Sequence, residues 1–179
     1  LSLTSELPGR LEALRTADVR ARVSGIVLER LFREGSDVRA GDVLYRIDAA
    51  PYRAAYDSAR AAVARAEAAQ MEAKLREERA QSLIGKKMIS QQDFDSAMAN
   101  ARATQADVQA AKSALESARL NLDYATVRAP ISGRIGRALV TEGALVGQGE
   151  ATPLALIQQV NPLYVNFTQS STELLRLRK

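Results

Sequence analysis

Any chemistry in this sequence falls to carboxylates, amines, guanidinium groups and hydroxyls, because its 179 residues include no cysteine and no histidine. That removes thiolate and imidazole nucleophiles, imidazole acid–base catalysis and nearly all zinc, copper and haem ligation. No catalytic residue, metal site or cofactor is expected. The absence of thiols fits an oxidising or a reducing compartment equally. The 25 basic and 21 acidic residues leave a net charge of +4 and are interspersed rather than gathered in a stripe, which argues against nucleic acid as a partner. One short turn carries Arg79, Leu83, Lys86, Lys87 and Ser90. Each has a plain structural reading alone: a solvated helix charge, a helix-seam residue, two soluble loop lysines and a helix N-cap.

That turn sits inside a stretch from Pro51 to Leu122 with a single glycine, Gly85, and no proline after Pro51. The pattern predicts two helices. The first starts near Pro51, favoured in a first turn, and ends near Ile84, where Gly85 offers a left-handed cap. The second starts after Ser90, since Ser90-Gln91-Gln92-Asp93 resembles a capping box, and stops near Leu122 or Asp123. Alanine fills 11 of 34 positions in the first helix and 9 of 32 in the second. The first seam reads Ala55, Ala59, Ala62, Ala66, Ala69, Ala73, Ala80 and Leu83, interrupted by Arg76. The second reads Phe94, Ala97, Ala101, Thr104, Val108, Ala111, Leu115, Ala118 and Leu122, a heptad-like stripe. Two such helices joined by about five residues fold back antiparallel, each arm roughly 50 Å long at 1.5 Å per residue. Charge pairs at helix spacing, Arg53 with Asp57, Glu72 with Arg76 and Lys74 with Glu78, read as solvated surface. No run approaches the length of a membrane span, and the opening LSLTSELPGR reads as a mature chain or a fragment.

The flanks of this helical stretch are β-like and are copies of each other. At a shift of 108 residues, Val19, Arg20 and Ala21 match Val127, Arg128 and Ala129, and Ser24-Gly25 matches Ser132-Gly133. Glu34-Gly35 matches Glu142-Gly143, Val38 matches Val146 and Gly41 matches Gly149. Gly25, Gly35, Gly41, Gly133, Gly143 and Gly149 are expected at turns needing positive φ or close backbone approach. Each copy reads as a half-sandwich, with Val19, Val23, Ile26, Val38 and Ile47 packing on Val127, Ile131, Ile135, Val146 and Leu156. The fold class is therefore α+β: a long antiparallel helical hairpin inserted between two halves of a small β-sandwich.

Duplicated S-G-x(9)-G half-motifs, with the stretch VSGIVLERLFREGSDVRAGDVLYRID, resemble lipoyl and biotinyl carrier domains. The first lysine of the chain is Lys74, inside the first helix, so the carrier's modifiable lysine has no counterpart at the inter-motif turn. A lipoyl domain split by a helical hairpin is instead similar to the periplasmic adaptor, or membrane fusion, proteins of RND-type tripartite efflux pumps, of the AcrA and MexA type. The resemblance rests on ELPGR at 6–10, GSDVRAGDVLYRID at 35–48, APISGRIGRALVTEGALV at 129–146 and VNPLYVNFTQSSTELLRLR at 160–178. It implies partial β-barrel segments at 1–14 and 161–179, lipoyl-like halves at 15–50 and 124–160, and a hairpin at 51–123.

The resemblance also implies a function without bond chemistry. Such a protein links an inner-membrane RND transporter to a TolC-like outer-membrane channel as a hexameric ring in the Gram-negative periplasm, anchored to the inner membrane in its full-length form. Adaptors of this kind carry an R-x(3)-L-x(6)-S motif around the hairpin turn, matched here by Arg79, Leu83 and Ser90. These would contact the channel by hydrogen bonds, by packing and by a small polar contact, and Lys86 and Lys87 would steer approach to an acidic rim. The weaker resemblances are to adaptors of ABC-type exporters or of metal-efflux systems, whose metal-ligand residues are missing, and to a lipoyl or biotin carrier.

Overall fold

The structure, a computed structural model, describes residues 9–147 and 151–167. In chain order the elements are β1 Gly9–Arg20, β2 Gly25–Arg30, β3 Asp37–Val38, β4 Val43–Ile47, α1 Ala50–Ile84, α2 Gln91–Tyr124, β5 Thr126–Arg128, β6 Gly133–Ile135, β7 Leu145–Val146 and β8 Pro153–Phe167. The flanks up to Ile47 and from Thr126 form one compact unit, and Asp48–Ala125 forms the other.

The β unit holds two four-stranded sheets, ordered β1-β8-β6-β3 and β5-β4-β2-β7, with every pairing antiparallel. The 108-residue shift carries β1, β2, β3 and β4 onto β5, β6, β7 and β8, so it converts one sheet into the other. This corrects the half-sandwich expectation: neither sheet belongs to one copy, and each draws two strands from each. The bonds that lock the copies are reciprocal. Gly35 N–H donates to Ile135 O and Ile135 N–H to Ser36 O, while Gly143 N–H donates to Val27 O and Val27 N–H to Ala144 O, all at 2.8–3.0 Å. The duplicated glutamates do the same. Glu34 Oε1 accepts from Ala138 N at 3.0 Å and Glu142 Oε1 accepts from Arg30 N at 3.2 Å, each carboxylate satisfying a backbone amide of the other copy.

Leu44, Tyr45, Ile47, Ile135, Leu154, Ile157, Val27 and Val146 form the centre of the core. Tyr45 Oη donates to the Leu154 carbonyl at 2.9 Å, so the one buried hydroxyl among them is satisfied and bridges the two sheets. Of the ten residues expected to pack there, Ile26 is 48% exposed, and its neighbour Val27 is buried instead. Side chains alternate faces along a strand, so the apolar trio Ile26-Val27-Leu28 could not all point inward. Ile131 and Leu156 are half-buried.

The helical unit is an antiparallel pair, joined across its seam by the Lys112–Glu67 ion pair at 2.9 Å. On α2 the nine seam residues from Phe94 to Leu122 are all buried or half-buried. On α1 the expected seam is displaced. Ala59, Ala66, Ala73 and Ala80 lie on it and Ala62 and Leu83 are half-buried beside it, but Ala55, Ala69 and Arg76 are exposed, and Tyr52, Tyr56, Val63, Gln70, Glu77 and Ile84 complete the alternation of threes and fours. The small residues of α2 leave room opposite, and a valine, isoleucine or tyrosine removes more apolar area from water there than alanine can. Glu72 and Arg76 pair at 2.6 Å on the exposed surface.

Candidate functional site at the hairpin turn

The turn between α1 and α2 is a Schellman closure followed by a serine cap. Met88 N–H donates to Leu83 O at 3.0 Å and Lys87 N–H to Ile84 O at 3.0 Å, the 6→1 and 5→2 bonds that satisfy the last carbonyls of α1. The left-handed residue of this motif is Lys87, at φ 56°, whereas Gly85 stays helical at φ −62°, ψ −25°. α1 ends at Ile84 as anticipated, but the expected left-handed glycine is corrected: Gly85 stays in the helical region and the turn's positive φ falls two residues later, at a lysine. A Cβ-bearing residue in that region costs about 1–2 kcal/mol, which the two carbonyl-satisfying bonds offset.

Ser90 then opens α2. With φ −77° and ψ 156°, it accepts from Asp93 N–H at 3.1 Å and donates from Oγ to Asp93 Oδ2 at 2.7 Å. The acidic side chain thus holds the serine rather than reaching back to the Ser90 amide, and its charge lies at the positive end of the helix. Ser90 remains exposed while capping.

Arg79 and Leu83 are one helical turn apart on α1 and share a face. Leu83 is half-buried. Arg79 is exposed, and its Nε donates to the Leu75 carbonyl at 3.0 Å, using one of the guanidinium's five donors and fixing the stem along the helix. Lys86 and Lys87 are exposed, as is Met88 at 67%. Met88 is an apolar member of the turn that sequence spacing did not single out; its Schellman position beside Leu83 is the signal that would have found it. The result is a cationic, partly apolar tip with hydrogen-bonding groups and no acid–base pair.

The duplicated glycines lie elsewhere, in the β unit. Gly35, Gly41 and Gly143 have φ of 74°, 94° and 83°, and a Cβ on Gly133 would sit 2.5 Å from the Gln158 carbonyl oxygen. Gly25 pairs with Val146 at the start of β2, and Gly149 lies outside the described residues. Gly147, outside the repeat register, is the most constrained: at φ 75°, its Cβ would overlap the Val23 carbonyl, and its own carbonyl accepts from Ser24 Oγ. Among the described residues no cluster of acidic side chains could hold a metal ion, and no helix is long and apolar enough to cross a membrane.

Two interlocked copies of a strand motif, interrupted by an antiparallel helical pair, define a barrel-sandwich hybrid with an α-hairpin. Residues 15–158 match the family model described as RND MFP, barrel-sandwich hybrid domain, and the chain belongs to that family. It is 54% identical over all 179 residues to the multidrug efflux pump subunit AcrA of Escherichia coli K12, of which it covers 45%. It is 49% identical over the same span to the multidrug resistance protein MexA of Pseudomonas aeruginosa, of which it covers 43%. Among solved structures, a MacA–MexA chimeric protein containing the Pseudomonas aeruginosa MexA α-hairpin is similar with a TM-score of 0.66 and 27% identity, covering 93% of this chain and 56% of that one. The chain spans less than half the length of these curated relatives.

Proposed function

We propose that this chain is the hairpin-bearing part of a periplasmic adaptor subunit of an RND-type multidrug efflux pump, linking an inner-membrane transporter to a TolC-like outer-membrane channel through its hairpin tip. The observation that carries this reading is identity of about half to multidrug efflux subunits over the entire chain, hairpin and turn included. The tip supports it physically: Arg79, Leu83, Lys86, Lys87 and Ser90 gather on a turn that offers docking chemistry and no catalytic group. The protein works by binding, as a hexamer whose repeated weak contacts add through multivalency, and needs no cofactor. The paired ends Gly9–Ala13 and Leu163–Phe167 carry Leu11, Val165 and Phe167 on one exposed face, in keeping with the first strands of a β-barrel completed by the rest of a longer chain.

The test is drug efflux in a Gram-negative strain lacking its own adaptor, using the full-length protein with Arg79→Asp, Leu83→Ser or Ser90→Arg and periplasmic levels checked by blot. Loss of resistance at normal protein level supports tip docking. Unchanged resistance in all three assigns the motif to helix punctuation alone.

A further inference from the structure

The repeat that builds the β unit leaves one of its two equivalent side-chain sites empty. Around the reciprocal glutamates, Arg30, Phe32, Arg33 and Glu34 of the first copy correspond, at the 108-residue shift, to Ala138, Val140, Thr141 and Glu142 of the second. The backbone bonds are alike on both sides, with Ala138 N–H donating to Glu34 and Arg30 N–H to Glu142. The side chains differ. In the first copy the Arg30 guanidinium meets Glu34 Oε1 at 2.8 Å and lies over the Phe32 ring, 5.6 Å from its centroid. In the second, alanine stands in the place of that arginine, and among the described residues Glu142 forms no ion pair.

The space that the missing side chain would take is open. A cleft of about 230 Å³ is lined by Arg30, Glu34, Ala138, Val140, Thr141 and Glu142, residues of both copies that frame this position. That is below the roughly 300–1,000 Å³ of a site for a drug-sized ligand, so the cleft suits a single head group. Arg30 is engaged with Glu34, and one guanidinium against two carboxylates leaves the lining with a net charge of −1, centred on Glu142. The occupied copy shows the matching chemistry: a planar guanidinium with its donors on a carboxylate and its face on an apolar side chain. In the open copy Glu142 offers the carboxylate, Val140 the apolar flank and Thr141 a hydroxyl acceptor. A guanidinium meets a carboxylate with two parallel N–H donors, which a compact ammonium cannot do. We propose that this cleft binds one guanidinium group from outside the chain, in the position that Arg30 fills in the first copy. Because Glu142 is exposed, the free group binds weakly, in the millimolar range. The site lies in the β unit and does not depend on the adaptor reading.

The test is a titration of the full-length protein with n-propylguanidinium chloride, read by nuclear magnetic resonance at the amides of Ala138, Thr141 and Glu142. The expected result is a saturable shift, half complete at millimolar concentration, with n-propylammonium binding about fivefold more weakly and sodium chloride at equal ionic strength producing none of it. Two variants check the geometry. Glu142→Gln keeps an oxygen to accept from Arg30 N–H, so the bond between the copies remains while the charge goes, and binding is expected to weaken about fivefold. Ala138→Arg supplies from within the chain the side chain that the second copy lacks, and is expected to abolish the saturable shift by filling the cleft. A shift that does not saturate, that sodium chloride or n-propylammonium reproduces, or that survives in either folded variant overturns the proposal; if Ala138→Arg does not fold, Glu142→Gln decides alone. Acetylarginine methylamide, which carries a peptide backbone on the same head group, is titrated alongside. Binding tighter than that of n-propylguanidinium assigns the group to a protein segment, equal or weaker binding assigns it to a free small cation, and the guanidinium site stands in both cases.

Discussion

Ser90 holds a helix and, in the proposed docking, touches a partner, and these two roles separate by substitution. The cap consists of the Asp93 N–H bond to Ser90 Oγ at 3.1 Å and the return bond to Asp93 Oδ2 at 2.7 Å, both exposed. Alanine removes both, and loss of a serine N-cap costs about 1 kcal/mol. Asparagine caps as well as serine does but is larger, so Ser90→Asn should hold stability within about 0.5 kcal/mol while filling the space a close contact would need. Stability is measured by denaturant unfolding followed by far-UV circular dichroism, and function by efflux in the adaptor-deficient strain. The expected outcome is a crossing pattern. Ser90→Ala loses about 1 kcal/mol and keeps most of its efflux. Ser90→Asn keeps its stability and loses about tenfold in channel affinity, the equivalent of about 1.4 kcal/mol, with efflux falling accordingly. Efflux that follows stability in both variants would refute the contact and leave Ser90 as a cap.

Three further outcomes follow from the described geometry. Lys87→Gly should stabilise the chain by about 0.5–1 kcal/mol, the relief of left-handed strain less the added freedom of the unfolded chain, read as a higher denaturant midpoint and slower exchange of the Met88 amide. Gly147→Ala should cost more than about 2 kcal/mol, since positive φ and the Val23 carbonyl both oppose a Cβ, and a melt within about 2 °C of the parent would contradict this. Burial pushes the Tyr45 hydroxyl up to about 12, with Arg30 opposing and Glu34 adding to the rise. A raised acid contributes stability that is intact below pH 10 and is lost between pH 10 and about 12, at about 1.4 kcal/mol per pH unit. Tyr45→Phe should abolish that difference in alkaline unfolding, at a cost near neutrality of about 1 kcal/mol for the one lost hydrogen bond, since the Leu154 carbonyl still accepts from Leu139 N–H.

The two helices, their antiparallel return and the duplication were legible because each has a long-range signature: a run with one glycine, a period, and an ungapped set of identities. What failed was local. Alanine spacing put Ala55 and Ala69 on the α1 seam, where Tyr56 and Gln70 lie instead, because seams are chosen by the volume that fills them and a larger side chain reaches further than alanine. Gly85 looked like the cap, but the backbone turned two residues later, at a lysine whose neighbours could make both closing bonds. The repeat identified copies without saying that their strands interleave, since identity at a fixed shift is silent about which strand pairs with which. At the turn, the family resemblance named Arg79, Leu83 and Ser90 but could not reveal that Arg79 is tied to the Leu75 carbonyl or that Met88 stands exposed beside them.

The interleaving of strands has a bearing on the order in which the chain acquires its shape. Each sheet needs partners from both sides of the Asp48–Ala125 segment, so no sheet can be completed while only the first flank has emerged. Closing a flexible loop of that length costs about 4 kcal/mol in chain entropy. An antiparallel helix pair forms from nearby contacts and, once zipped, delivers its two ends side by side, turning a remote encounter into a local one. The hairpin is thus a folding template for the β unit, apart from the docking role proposed for its tip. Loosening its base, at Tyr52 or Leu122, would slow assembly of sheets whose own residues are untouched.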